Sequence, residues 1–302
     1  MTPHLCLGTA QFGLPYGITN TVGQVPEEEV GKILKLAGQK GIQFLDTAQA
    51  YGNAEAVLGL AMPGRHAFRV ISKLPAQGKL SFTAGDSSEW EDAFRCSFSR
   101  LRQHCFDAFL LHSPADLRKP GGDYLKHWLL SLRDRGLVRR LGVSIYTIND
   151  LEGVPSELLD LVQLPLSLYD QRLLADGAIS RLYSQGCAIH ARSIYLQGLM
   201  LKSSSEWPHW ISPCERDHHA RLEQVCRERG RSLLEAAISF IRDQSYLEAA
   251  VVGVCSLGEM EELMSRWGSE SLWSNGEWRE WAIADPRGSR SASILEPRSW
   301  PR

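Results

Sequence analysis

The sequence predicts an α/β fold, a (β/α)8 TIM barrel over residues 1–267, with a tail over 268–302 that packs on the barrel or is partly disordered. Three observations predict it. Eight short runs rich in Val, Ile, Leu and Phe recur along the 302 residues. Segments of helical period lie between them. The runs are continuously apolar rather than alternating, as suits a parallel sheet covered on both faces. One barrel of this length is ordinary for the class.

The expected strands are Leu5–Thr9, Gln43–Asp46, Phe68–Lys73, Phe106–His112, Arg139–Ser144, Asp160–Gln163, Cys187–Ala191 and Ala249–Gly253. Pro26 opens the first helix, with Val30, Ile33, Leu34 and Ala37 on one face and Gly41 as its stop. Phe94, Phe98, Leu101 and Cys105 form a second apolar stripe. Leu125, Trp128, Leu129 and Leu132 form a third, ended by Gly136. Leu222, Val225 and Cys226 precede Gly230. Leu233, Ala237, Phe240 and Ile241 follow, and Met260, Leu263, Met264 and Trp267 close the series. Such stripes read as core, packed on the strand layer. The tail turns rich in Ser, Arg, Gly and Pro. Residues 275–284 read as a short helix, and the chain beyond Asp285-Pro286 as either an ordered strap or a floppy end.

An open doubly wound sheet is the competing architecture. It usually binds a dinucleotide through G-x-G-x-x-G in its first turn. The turn here reads Gly8-Thr9-Ala10-Gln11-Phe12-Gly13, without that spacing, and no Walker A sequence occurs. The barrel is therefore preferred.

Composition removes other classes. Hydrophobic residues make up 43% and charged residues 23%, which excludes a largely disordered chain. No apolar run is long enough for a membrane span, and no secretory signal is visible. The formal charge of −2 gives no bulk attraction to nucleic acid or anionic membrane. Seven scattered cysteines without a CxxC read as reduced thiols in a cytoplasmic protein.

A parallel barrel gathers its chemistry at the carboxyl ends of the strands. The runs here end in Asp46, Lys73, His112, Ser144 and Gln163, and the seventh leads into Arg192-Ser193. Tyr51 follows Asp46 in the second loop. Taken singly, each has a structural explanation: a helix cap, a satisfied buried histidine, a solvated lysine. Together they place an acid, an ammonium, an imidazole and a phenol on one rim. A phenol with a pKa of ~10 is a poor acid at neutral pH, and a nearby ammonium lowers it. Lys73 supplies that charge and Asp46 holds Lys73 protonated. His112 orients a substrate oxygen. The set suits carbonyl reduction, with Tyr51 protonating oxygen as hydride reaches carbon.

At these residues the chain resembles the aldo-keto reductase superfamily. The matching pieces are Leu7-Gly8-Thr9, Phe44 to Ala48 with Tyr51-Gly52, Ile71-Ser72-Lys73, Leu110 to Ser113, Leu141 to Ser144, Val162-Gln163 and Gln197 to Met200. The pieces are weak alone, but in order they are highly specific. The resemblance implies a (β/α)8 barrel that reduces aldehydes or ketones with NADP(H), or NAD(H), without a metal. It implies a catalytic tetrad of Asp46, Tyr51, Lys73 and His112. It implies cofactor contacts at Gly8, Thr9, Ser144, Gln163, Arg192, Ser193, Gly253, Ser256 and Glu262. The substrate pocket is expected at Phe12, Tyr16 and Tyr169 beside His112. Partners are expected to be small aldehydes or ketones, with the protein a monomer or weak homo-oligomer.

Three departures from the family pattern stand out. Ile145 follows Ser144 where Asn is frequent. Arg192 replaces an aromatic residue that often stacks on nicotinamide, and a guanidinium can also stack on a flat ring. The segment Gly253–Glu262 has no Lys or Arg and holds Glu259, Glu261 and Glu262, where NADPH-using members usually carry a cation. NADH is therefore the alternative cofactor, unless Arg266, Arg287, Arg290 or Arg298 reaches the phosphate. A cation at Arg192 or Arg172 would suit an acidic or phosphorylated substrate, but neither is assigned to it. The segment Lys202–Trp210 reads as a lid over the cofactor, and His209, His218 and His219 as a solvated loop. A nucleotide-binding regulatory barrel with little turnover is the competing function. A metal-dependent hydrolase is disfavoured because only one strand ends in His.

Overall fold

The computed structural model describes residues 2–62, 68–274, 276–283, 294–297 and 300. Eight parallel strands close into a barrel in chain order. They are β1 (His4–Gly8), β2 (Phe44–Asp46), β3 (Arg69–Leu74), β4 (Phe106–Leu111), β5 (Val138–Ser144), β6 (Leu161–Pro165), β7 (Ala188–Arg192) and β8 (Ala249–Gly253). β8 pairs back onto β1, with His4 opposite Ala249 and Gly8 opposite Gly253. The closed barrel is the predicted architecture, and each strand lies within two residues of its expected run.

The helices pack outside. They are α1 (Ala10–Gly13), α2 (Glu27–Gln39), α3 (Ala54–Ala61), α4 (Asp86–Leu101), α5 (Gly122–Asp134), α6 (Arg172–Ala175), α7 (Ala178–Ser184), α8 (Pro213–Glu228), α9 (Leu233–Arg242) and α10 (Leu257–Trp267). The α2 stripe is buried as expected, and Pro26 stands at its N-cap. α1, α3, α6 and α7 are too short to show a period in the sequence. α3 needs Gly59 for a close approach: a Cβ there would lie 1.8 Å from the Arg100 carbonyl oxygen at the end of α4.

Two apolar compartments result. The larger lies between strands and helices. The smaller fills the barrel lumen with Cys6, Phe44, Ile71, Ala108, Leu110, Leu161 and Ala249. Beyond the barrel, Trp273, Trp281, Ile294, Leu295 and Trp300 are buried. The Trp273 indole donates to the Ala236 carbonyl at 3.0 Å. The expected short helix over 275–284 takes the form of a 3-10 turn, Glu277–Trp281. Arg287, Arg290 and Arg298 lie outside the described residues.

Candidate active site at the carboxyl ends of the strands

Strand geometry builds the site. Side chains two residues apart on a strand share a face. Phe44, Ile71, Leu110 and Leu161 point into the lumen, so Asp46, Lys73, His112 and Gln163 stand one layer above them. Ser144 and Arg192 follow the same rule from Gly142 and His190. Gly142 must be glycine, since a Cβ would meet the Leu161 carbonyl at 2.0 Å. The His190 ring stands edge-on to Phe44 with centroids 5.4 Å apart.

Lys73 is fully buried and Asp46 is 2% exposed. The Lys73 ammonium donates to Asp46 Oδ1 at 2.6 Å and to the Thr47 carbonyl at 2.9 Å. Gln163 Nε2 donates to Asp46 Oδ2 at 2.7 Å. Both carboxylate oxygens are thus committed, which offsets the desolvation of a buried ion pair. The Lys73 nitrogen lies 5.2 Å from the centre of the Tyr51 ring. The Tyr51 and His112 rings meet edge-to-face at 5.9 Å. The four residues expected to form the tetrad are therefore neighbours.

Burial pulls the Lys73 ammonium toward neutrality, but Asp46 and Tyr51 push harder and its pKa is raised. His112 is driven down to about 3 by burial, with the Lys73 and Arg192 charges adding to it, so its imidazole is neutral. Burial raises the Tyr51 phenol despite the downward pull of Lys73. Lys73 lowers the phenol, as expected, but burial outweighs it, and the phenol stays protonated.

A cavity of about 590 Å3 opens over these groups, within the usual range for a ligand site. Gly8, Thr9, Tyr16, Asp46, Tyr51, His112, Ser144, Gln163, Arg192, Ser193, Gly253 and Glu262 all line it. Ser256 does not; its hydroxyl caps α10 by accepting from the Glu259 N–H at 3.1 Å. Phe12 and Tyr169, expected in the substrate pocket, also lie outside it. Phe12 faces the strand–helix core from α1. The Tyr169 hydroxyl bonds His219 Nδ1, and its ring packs against Trp207 and His218. Each is an aromatic on the outer side of its strand end, where the helices take it.

The loop after β7 is the strained part of the wall. Ser193, Leu196 and Gln197 have φ of 60°, 48° and 55°. Left-handed backbone at such residues costs on the order of 1 kcal/mol each. Burial of Ile194 and Leu196 in the core holds the loop there. The expected lid over Lys202–Trp210 is anchored instead: Trp207 is 2% exposed and donates to the Leu199 carbonyl at 2.9 Å. His218 and His219 lie on α8 rather than in a solvated loop. His219 is fully buried and its Nε2 bonds the Lys202 carbonyl oxygen at 2.7 Å. Tyr146 and Tyr195 line the cavity and were not singled out from sequence. Their signal was spacing, two residues beyond Ser144 and Ser193.

At the far end, Cys255, Glu259 and Glu262 form the wall. The Glu259 carboxylate accepts from the Cys255 N–H at 2.7 Å, and Glu29 accepts from the Leu257 N–H at 2.7 Å. Arg266 turns to Glu235 at 3.6 Å. The Tyr195 hydroxyl is buried without a partner among the described residues.

The closed barrel of eight parallel strands, with a polar layer and a cavity over its carboxyl ends, defines a TIM-barrel architecture. The Aldo/keto reductase family model matches residues 4–273, and the chain belongs to that family. It is 33% identical over 138 residues to an aldo-keto reductase of Mycolicibacterium vanbaalenii, covering 44% of this chain and 46% of that protein. It is equally 33% identical over 141 residues to one from Mycobacterium tuberculosis, with coverages of 44% and 46%. The match thus spans about half the length of these curated relatives. The fold is shared with aldo-keto reductase AKR11C1 of Bacillus halodurans at a TM-score of 0.69 and 18% identity, covering 93% of this chain and 92% of that one. It is shared with the glycerol dehydrogenase AKR11B4 of Gluconobacter oxydans at a TM-score of 0.68 and 19% identity, covering 99% and 93%.

Proposed function

We propose that this chain is an NAD(P)H-dependent carbonyl reductase for small aldehydes or ketones. The observation that carries the reading is the buried Lys73–Asp46 pair set beneath Tyr51 and His112 at the floor of the cavity. A fully buried ion pair is costly to keep, and its position under a phenol gives it a chemical use. A reduced nicotinamide dinucleotide, when bound, supplies hydride to the carbonyl carbon. Neutral His112 donates a hydrogen bond to the carbonyl oxygen and orients it. Tyr51 gives its hydroxyl proton to that oxygen as negative charge develops. Lys73 stabilises the phenolate left behind, and Asp46, fixed by Gln163, keeps Lys73 charged and in place.

The residues fit the dinucleotide. The Ser144 hydroxyl has no protein partner among the described residues and faces the cavity with Gln163. At the opposite end the buried Tyr195 hydroxyl has no partner among the described residues. Gly8, Thr9, Ser193, Gly253 and Glu262 complete the proposed contacts, with Arg192 where the cofactor meets the substrate and Tyr16 on the substrate side. The acidic far wall disfavours a ribose 2′-phosphate. Its loop amides at 255 and 257 are already taken by carboxylates. Lys202, a cation on the cavity wall, lies 3.6 Å from Glu206. One uncompensated charge contact at such a site is worth about 1–2 kcal/mol. NADH therefore binds within about thirtyfold of NADPH, or better.

Dissociation constants for both cofactors, followed by their oxidation with 4-nitrobenzaldehyde, test this. Absence of cofactor oxidation across an aldehyde panel would refute the reductase reading. A preference for NADPH of more than about a hundredfold, weakening with salt, would refute the acidic-wall reading.

A further inference from the structure

Arg192 stands apart from the other lumen and rim guanidinium groups. Arg69 pairs with Asp107, Arg140 with Asp107 and Glu248, and Arg172 with Asp170 and Glu296. Arg192 has no carboxylate partner among the described residues, yet it lines the cavity beside Tyr51 and His112. An unpaired cation in a partly dry wall is unfavourable unless something brings a countercharge.

The guanidinium is also held in one orientation. Its Nη2 donates to the Ile145 carbonyl at 2.8 Å, and its Nη1 to Ser193 Oγ at 3.2 Å. Its carbon lies 4.1 Å from the centre of the Tyr146 ring. Two of its five N–H donors are used, so three remain. Its charge bears on His112, Tyr51 and Tyr16, the groups around the reacting oxygen. The carboxylates Glu259 and Glu262 sit at the other end, near Tyr195.

We infer that Arg192 recognises a carboxylate on the carbonyl substrate, so that the preferred substrates are aldehyde or keto acids. The inference rests on the carbonyl-reductase reading. A planar fork matches a carboxylate in geometry as well as charge, and the Tyr146 platform fixes that fork before the ligand arrives. The Ile145 carbonyl, at a position where Asn is frequent in the family pattern, is part of the clamp. The competing source of the countercharge is the pyrophosphate of the dinucleotide itself.

The experiment compares 3- and 4-carboxybenzaldehyde with their methyl esters. kcat/KM at saturating cofactor is measured for the wild type, Arg192→Gln and Arg192→Lys. The quantity read is the acid-to-ester ratio within each variant, which is insensitive to a general loss of activity. The wild type should favour the acid by about tenfold or more, less at high salt. Arg192→Gln should bring the ratio to about one, and Arg192→Lys should retain part of it. In parallel, dissociation constants of the same acids and esters are measured by tryptophan fluorescence with cofactor present. This arm needs no turnover and should show the same order of preference. A wild-type ratio at or below one, or a ratio unchanged in Arg192→Gln, overturns the inference. If Arg192→Gln weakens cofactor binding and leaves the ratio intact, the pyrophosphate is the partner and the inference also fails. Failure of the reductase reading appears separately, as no oxidation of cofactor by acid or ester.

Discussion

The two ends of the barrel lumen are built from the same strands and put to opposite uses. β3 shows the contrast: Arg69 at its lower end, Ile71 in the apolar middle and Lys73 at the top all face inward. Below, Arg69 lies 4.4 Å from the centre of the Phe44 ring and pairs with Asp107 at 2.7 Å. Asp107 also takes Arg140, and Arg140 and His190 share Glu248 at 2.8 and 2.7 Å. Nearly every charge there is matched by another, and the cluster closes the floor. Above, one ion pair is buried beneath a phenol, an imidazole and a guanidinium that face an open cavity. Paired charge stabilises; groups left facing a cavity are available to a ligand. The lesson is that charge in this lumen is distinguished by what remains unpaired.

The largest expected effect is at the top. Lys73→Met should lower turnover about 10²–10⁴-fold and, by leaving Asp46 buried and unpaired, destabilise the fold by about 3–5 kcal/mol. Steady-state kinetics and urea unfolding of the same preparation check both. Loss of stability without loss of turnover per folded molecule would remove Lys73 from the chemistry.

Arg140→Met should do the reverse. It breaks the lower network and should cost about 3 kcal/mol in urea unfolding, while turnover per folded molecule changes little. A comparable loss of turnover would show that the two ends are not separable.

A smaller effect is expected from pH. Burial raises the Glu248 carboxyl, but His190 and Arg140 outweigh it and hold its pKa at about 2 against a usual 4.5. It is therefore ionised in the fold where the unfolded chain would take a proton. Its contribution is complete above pH 4.5 and is lost as pH falls from there toward 2. Glu248 is 29% exposed on its side chain, so the contribution is about 2 kcal/mol. Urea midpoints between pH 5 and 3 should fall more steeply for the wild type than for Glu248→Gln. Equal slopes would contradict this.

Much of this contrast was legible in the sequence at one end and little at the other. The strand-end residues Asp46, Lys73, His112, Ser144 and Gln163 were visible because each terminates an apolar run, and period-two geometry does the rest. The lower network was not visible. Arg69, Asp107, Arg140, His190 and Glu248 are ordinary polar residues scattered along the chain, and only barrel closure brings them together. Phe12 and Tyr169 were misplaced for a related reason. An aromatic near a strand end can face lumen or helices, and composition does not distinguish the sides. Arg192 stands out in the sequence as a substitution, but its isolation from carboxylates among the described residues is a three-dimensional fact. The role of Gln163 in holding Asp46 depends on a contact across the barrel that no local pattern encodes.

The most direct test of the upper end as a reaction centre is Tyr51→Phe, which removes one oxygen and leaves the ring. Cofactor affinity by fluorescence titration and turnover with 4-nitrobenzaldehyde are measured on the same protein. Turnover should fall about 10²–10⁴-fold while cofactor affinity stays within about threefold of the wild type. Retention of most of the wild-type turnover would contradict the assignment of Tyr51 as the proton donor.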